Sequence, residues 1–378
     1  MDTKAIFRHV DKKKGWIHDT LYELVLQESP SEDPPAVNAA MGLAERWGRQ
    51  LGARAKRHKQ REFGDVLELR FGPSRSTRKP VLLLGHLDTV WPMGTLANMP
   101  WREAEGRYWG PGVLDMKAGV VMALAAISTL REMKSTRPVT LLLNSDEEVG
   151  SPISRPITER LALGSAVVFV LEPAQGLGYK TARKGVGQYH VQVTGVGAHS
   201  GVDFERGHSA VLELAKLVQT ISSFTNLQRK LTVNCGVVAG GTRSNVVASS
   251  AYAEVDVRIA KASDAPYVEK LFRGLKVSDP HCKLTITGGI NRPPMERKAG
   301  TIALFKKAHA LAAELGFVLD EAATGGGSDG NFTAALGVPT LDGMGAVGDG
   351  AHAAHESVVI EHVVPRTALM AAMIASVE

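Results

Sequence analysis

The sequence predicts an α/β protein interrupted by a smaller α+β domain. Two observations carry that expectation. Before about residue 185 and after about residue 296, apolar runs of strand length alternate with helical segments. Between those points the order changes to strand, helix, strand, strand, helix, strand. The first pattern implies a largely parallel sheet covered by helices on both faces. The second is the order of a ferredoxin-like unit. The expected division is therefore 1–185 with 296–378 for the α/β domain, and 186–295 for the insert.

The elements follow in order. "PVLLLGHLDTV" begins as a buried strand, and "KAGVVMALAAISTLREM" is an apolar helix. "PVTLLLN" is the next strand, "ISRPITERLA" a short helix, and "SAVVFVLEP" a further strand. The insert opens on the strand "GQYHVQVTGV" and the helix "GHSAVLELAKLVQTISSF". In that helix Ala210, Val211, Leu214, Leu217, Val218 and Ile221 recur at helical spacing. The strands "LTVNCGVVAG" and "SNVVASSAYAEVDVRIA", the helix "DAPYVEKLFRGL" and the strand "CKLTITGGI" complete the insert. The α/β pattern returns with the helix "TIALFKKAHALAAELG", a glycine-rich loop, the short strand "VPTLDG" and a closing helix "PRTALMAAMIASVE".

Composition narrows the classes. With 378 residues, 44% hydrophobic and 22% charged, the chain reads as ordinary globular protein of two domains. No apolar run reads as a membrane span and no N-terminal signal is recognised, which places the expected location in the cytoplasm with no membrane partner. Two cysteines, Cys235 and Cys282, make no disulfide framework. The net charge of +5 comes from scattered basic residues, densest in "KRHKQR", and no nucleic-acid motif accompanies them.

The informative stretch is "VTLLLNSDEEVGS". It puts Asp146, Glu147 and Glu148 directly after an apolar strand. An isolated acidic triplet is usually a solvated turn. Here other strands also end in candidate metal ligands: "LLLGHLD" delivers His86 and Asp88, and "VVFVLEP" delivers Glu172. "WGPGVLDMKAG" places Asp115 in a loop before a helix, and "VPTLDG" leads to a loop holding His352 and His355. Ligands bind outside the carboxyl ends of strands in open α/β sheets. Carboxylates gathered there raise one another's pKa unless cations offset the repulsion.

Imidazole and carboxylate donors without thiolate suit zinc, with cobalt and manganese as alternatives. The set divides into a site for two divalent ions: His86 and Glu172 for one, Glu148 and one late histidine for the other, and Asp115 bridging. Glu147 remains beside the ligands as the general base for hydrolysis, with water made more acidic by the ions. Asp88 is expected to accept the second imidazole N–H of His86 and orient that ring. Asp146 reads as a turn or N-cap residue.

"GHLDTV", "GPGVLDMKAG", "SDEEVGS", "LEP", "GAHSG", "SNVV", "VDVRI", "GGGSDGN" and a late histidine occur in this order. Together they resemble the M20 dinuclear zinc peptidases. "HLDTVWPMGTL" and "TGGGSDGNF" resemble the glutamate carboxypeptidase (carboxypeptidase G2-like) branch in particular. The similarity runs over roughly residues 80–378. It implies a zinc-peptidase-like catalytic domain, with the insert mediating a homodimer. It also implies that His199 reaches the partner's active site and there polarises the scissile carbonyl or stabilises the oxyanion. By the same resemblance Asn245 contacts substrate, Arg258 contacts substrate or braces the insert, and Arg292 binds the substrate carboxylate. The backbone N–H groups of Gly325 to Ser328, Gly326 among them, are a second cradle for that carboxylate. The family's spacing of a histidine followed four residues later by a glutamate is met by His352 and Glu356, which selects His352 over His355 as ligand.

The function expected is a metal-dependent carboxypeptidase or amidohydrolase acting on a small peptide or N-acyl amino acid with a free carboxylate. An aminoacylase or deacylase of the same family, of acetylornithine or succinyl-diaminopimelate type, is the nearest alternative. A peptide binder that has lost catalysis would lack a ligand or the base, and none is missing.

Overall fold

The computed structural model describes residues 2–73 and 75–377. Met1, Ser74 and Glu378, the last residue of the closing helix expected from the sequence, lie outside the described residues. The chain forms two compact units: Met1–Ala182 with Arg297–Thr324 and Ser328–Glu378, and Arg183–Glu296 with Gly325–Gly327.

The larger unit is built on a six-stranded sheet in the order Arg54–His58, Val66–Phe71, Val139–Asn144, Val81–His86, Val167–Val170, Thr340–Leu341. The last four strands run parallel. The first two pair antiparallel with each other, and the second pairs antiparallel with Val139–Asn144. The four strands expected from the sequence are thus parallel, and two further antiparallel strands extend the sheet at one edge. The addition lies in the first eighty residues, which form three helices (Thr3–Asp11, Lys14–Leu26, Pro34–Gln50) and the two antiparallel strands. The third helix has a clear start signal: Pro34 occupies its first turn and the Asp33 side chain accepts the Ala36 N–H at 3.0 Å.

Alternate strand residues cover both faces of this sheet. Leu83, Leu141 and Phe169 join the main core with helices Ala118–Glu132 and Ile360–Ser376. Leu82, Leu84, Leu142 and Val168 point the other way, where Ala162, Ile157 and Leu161 of helix Arg155–Leu163 cover them. Burial on both faces explains why these strands are continuous apolar runs. The segment Val113–Glu132 has the length and hydropathy of a membrane span, but 94% of its most apolar window is buried inside the fold. Burial on every side accounts for its apolar character.

The smaller unit is a four-stranded antiparallel sheet in the order Thr232–Gly240, Ser250–Ile259, Gly185–Thr194, Lys283–Arg292. One face carries helices Ala210–Ser222 and Ala265–Arg273. Tyr189, Val191, Val193, Ala253, Val255 and Val257 pack there against Leu214, Leu217, Ile221, Val268 and Phe272. The Tyr189 and Phe272 rings stack at 3.7 Å. Of the six helical positions read from the sequence, Val211 is exposed and Val218 half-buried, and the rest are buried. The Ser209 hydroxyl caps this helix by accepting the Leu212 N–H at 3.2 Å.

Candidate metal centre

Three of the parallel strands of the larger unit lead into the polar cluster, and two loops complete it. His86 is the last residue of its strand, and Glu172 follows the strand Val167–Val170 by two residues. After Val139–Asn144 the chain turns through Ser145 and Asp146 into the short 3-10 turn Glu147–Val149. Asp115 lies in the kinked turn Val113–Lys117, outside the helical region (φ −113°, ψ 94°), immediately before helix Ala118–Glu132.

Asp115 stands at the centre. Its Oδ1 is 3.4 Å from His86 Nε2, and its Oδ2 is 3.2 Å from His352 Nε2. Glu172 Oε1 is 3.7 Å from His86 Nε2, and Glu148 Oε2 is 3.3 Å from His352 Nε2. The groups form two trios that share Asp115: His86, Asp115, Glu172 and Asp115, Glu148, His352, each with its donor atoms within 4.8 Å of one another. His86 Nε2, Asp115 Oδ1 and Glu148 Oε1 are buried and have no hydrogen-bond partner. Buried polar atoms without partners are costly in a core that otherwise satisfies its polar groups. Two trios of imidazole and carboxylate donors sharing one aspartate fit divalent cations, and the donor set of nitrogen and oxygen fits zinc, cobalt or manganese.

The electrostatics agree. Burial opposes a charged His86, yet Asp115, Asp88 and Glu172 together hold its imidazolium well above the usual range. Asp115 and Glu148 raise His352 to about 10 against its partial burial. Burial pushes Glu148 up to about 7, with Asp115 and Asp88 adding to the rise and His352 and His86 opposing it. Burial works to raise Asp115 as well, but His352 and His86 hold it below the usual carboxylate range. A cluster so arranged demands positive charge at its centre, from protons on the imidazoles or from metal.

Asp88 does something other than expected. The His86 Nδ1 partner is the backbone carbonyl of Asp88 at 2.9 Å, and the nearer carboxylate oxygen is 3.4 Å away. The carboxylate instead accepts three donors: Glu147 N–H at 3.2 Å, Glu148 N–H at 3.1 Å and the Ser31 hydroxyl at 2.7 Å. Two successive backbone N–H groups at a turn are a stronger claim on a buried carboxylate than one imidazole already served by a carbonyl. Asp146 is buried and accepts the N–H groups of Ile153 and Ser154 at 2.7 and 3.2 Å, so it shapes the following loop rather than capping the 3-10 turn.

Two residues matter more than the sequence suggested. The fully buried Glu356 accepts the N–H groups of Gly112 (2.9 Å), Leu114 (2.8 Å) and Asp115 (3.0 Å), and the Trp91 indole at 2.7 Å. It clamps the loop that presents Asp115. Lys117 is buried, donates to the Gln27 carbonyl at 2.8 Å, and is lowered by burial to about 8 despite the pull of Glu356 and Glu28. A buried glutamate after a histidine was legible only as a spacing mark. The late loop turns tightly, with His352 in the left-handed region (φ 62°). That turn brings His352, and not His355, to Asp115 and Glu148; His355 lies against Gly350 instead.

Within the smaller unit, His199 and Asn245 are neighbours. Ser200 N–H donates to the Asn245 carbonyl at 3.1 Å, and Val247 N–H to the Ala198 carbonyl at 2.9 Å. His199 is exposed, and its Nδ1 accepts the Gly201 N–H at 3.1 Å. A neutral ring bonded in this way carries its proton on Nε2. Arg258 is held by both carboxylate oxygens of Asp256 at 2.9 and 2.8 Å, with the Gly325 carbonyl at 3.5 Å. Arg292 is buried, with its Cδ close to the Gly327 backbone. The exposed Gly326 gives its carbonyl to Arg183, which also takes that of Gly327 at 3.0 Å. Arg183 carries no mark in the sequence, where it is one basic residue of "ARKGVG".

Fold and cluster define a class of metal-dependent hydrolase in which carboxylates and imidazoles gather at parallel strand ends. Over residues 82–376 the chain matches the model of Peptidase family M20/M25/M40, and it belongs to that family. It is 29% identical over 379 residues to carboxypeptidase G2 of Pseudomonas sp. (strain RS-16), covering 97% of this chain and 90% of that one. It is also 29% identical to acetylornithine deacetylase of Myxococcus xanthus over 247 residues, 60% of this chain and 63% of the relative. Among solved structures, an M20 family metallo-carboxypeptidase from Sulfolobus solfataricus superposes with a TM-score of 0.77 at 18% identity, covering 95% of this chain and 98% of that one. At that identity the likeness concerns the fold.

Proposed function

We propose that the chain is a dinuclear metal-dependent carboxypeptidase of glutamate carboxypeptidase type. It would cleave the amide bond of a peptidyl or N-acyl amino acid that bears a free carboxylate. The observation that carries this reading is Asp115, which turns one carboxylate oxygen to each of two imidazoles. His86, Asp115 and Glu172 would hold one ion, and Asp115, Glu148 and His352 the other, zinc being the best match to the donors. Bound there, the metals would supply Lewis-acid polarisation of a carbonyl and a lowered pKa for water.

The chain's own groups do the rest. Glu147 takes the proton from the attacking water and returns it to the leaving amine. Asp88 holds the turn that carries both Glu147 and Glu148. Glu356 fixes the Asp115 loop. His199, with its proton on Nε2, is a hydrogen-bond donor for the carbonyl oxygen as negative charge develops. Asn245 contacts the substrate, and Arg292 with the backbone around Gly326 meets its carboxylate. Arg258, committed to Asp256, braces the insert.

The insert carries the homodimer in this reading. Its edge strand Thr232–Gly240 exposes Val237 and Val238, and Val211 on the neighbouring helix lies against Gly240. An edge strand with exposed apolar side chains is a ready template for pairing with a second copy. His199 then serves the partner's centre. Both cysteines are free, in keeping with a reducing cytoplasm.

A screen of dipeptides and N-acyl amino acids with added zinc, cobalt or manganese tests the function. Cleavage that requires both the metal and a free substrate carboxylate supports it. No cleavage of any carboxylate-bearing amide by the metal-loaded protein contradicts it. Preferred release of short acyl groups would favour the deacylase reading, for which the likeness to the acetylornithine enzyme speaks.

A further inference from the structure

The described residues of the insert hold a second group of metal-ligating side chains, separate in sequence from the strand-end cluster: His208, Asp279 and His281, each able to offer one donor atom within 4.8 Å of the others. His208 Nδ1 is 2.7 Å from Asp279 Oδ2, and the His208 and His281 rings lie 4.1 Å apart at 32°. We propose that these three side chains form a further binding site for a divalent transition-metal ion, and that the ion ties the loop bearing His199 to the segment before the last strand of the insert.

The donors suit this class of ion. Two imidazoles and one carboxylate are a usual three-ligand set for zinc and its neighbours, with the remaining position left to water. The ligands are held in advance. His208 exchanges both backbone hydrogen bonds with Val196, each at 2.9 Å. Those bonds close the loop 197–207, within which His199 is braced by Asp203 Oδ1 on its own N–H at 2.8 Å. On the other side the Asp279 turn is fixed by the His281 N–H on Oδ1 at 2.9 Å and the Cys282 N–H on the Asp279 carbonyl at 3.1 Å. The adjoining Ser278 N–H is taken by Glu213. The His281 N–H, followed by His208, lowers the Asp279 carboxyl from its ordinary value, so a ligating carboxylate is present at neutral pH.

A hydrogen bond between His208 and Asp279 would suffice to pin the two segments, but it does not account for His281. That residue is exposed, yet its ring rests on the His208 ring. Two imidazoles in contact repel when both are protonated and do not when both are neutral ligands. The three side chains already place one donor atom each within 4.8 Å of the others.

The test uses the wild-type holoenzyme, with the variants His281→Ala and Asp279→Asn, dialysed to equilibrium against a modest excess of zinc. Zinc is then counted per chain. The expected result is one more ion on the wild type than on either variant, with hydrolytic activity retained in His281→Ala. Proteolytic cleavage within 197–207 should slow on zinc addition in the wild type and not in His281→Ala. Equal zinc counts in all three proteins would overturn the site. An extra ion with no change in cleavage of the loop would overturn the bracing.

Discussion

The Asp88 carboxylate accepts the backbone N–H of Glu148 at 3.1 Å, with its other oxygen on the N–H of Glu147. One buried side chain thus holds the backbone of both Glu147, the proposed base, and Glu148, a proposed metal ligand. Asparagine in its place keeps one acceptor oxygen and turns a donor toward the second N–H. Asp88→Asn should therefore lower metal affinity or turnover by roughly 10- to 100-fold, the usual cost of losing a group that orients metal ligands. Metal titration together with kcat measures both; wild-type values for each would show that the turn needs no such support.

Glu147→Gln should keep the fold and the metals and lose the chemistry. Removing a general base costs ~10²–10⁴ in rate. The decisive reading is kcat at confirmed full metal content. Near-normal turnover would assign the proton transfer elsewhere.

Glu356→Gln tests the clamp on the Asp115 loop. The glutamate gives two acceptor oxygens to three backbone N–H groups and an indole. A glutamine presents an NH₂ to part of that set and leaves buried donors without partners, at a cost of about 1–3 kcal/mol for each. Thermal unfolding should show a clear loss of stability, with weakened metal retention. An unchanged melting temperature would mean that the loop holds its shape unaided.

The dimer proposal is tested by complementation. Inactive His199→Ala and inactive Glu147→Gln are mixed under conditions that let subunits exchange. A mixed dimer holds one centre with its own Glu147 and an intact His199 from the other chain. Activity should return to about half that of a wild-type dimer if the symmetric sites act independently. Confirmed exchange without recovery would mean that His199 acts in cis or that the two sites are coupled, and a fully active monomer would rule out the trans arrangement.

Much of the fold and the site is legible in the sequence because the physics is local. Strand ends are marked by the change from apolar run to carboxylate, so His86, Glu148 and Glu172 stand out, and Asp115 is marked by its glycine-proline loop. The insert is legible from element order, and its first helix from spacing. The antiparallel strands Arg54–His58 and Val66–Phe71 are not: the first is polar and half-exposed, and the second hides its charged Glu68 between Arg70 and a hydrogen bond with His58. The role of Asp88 escapes the sequence because a side chain and its own backbone carbonyl compete for one imidazole, and residue order does not rank them. Glu356 and Arg183 act through backbone groups far away in the chain, and such partners leave no pattern in composition or spacing.

The central claim is that two ions share Asp115 and that His352 completes the second site. Its most direct test is metal content per chain after purification without chelator, in a His281→Ala background so that the insert contributes nothing. The account predicts close to two ions, one ion after His352→Ala, and two again after His355→Ala. A single tightly bound ion with full activity, or loss of an ion from His355→Ala instead, would contradict it.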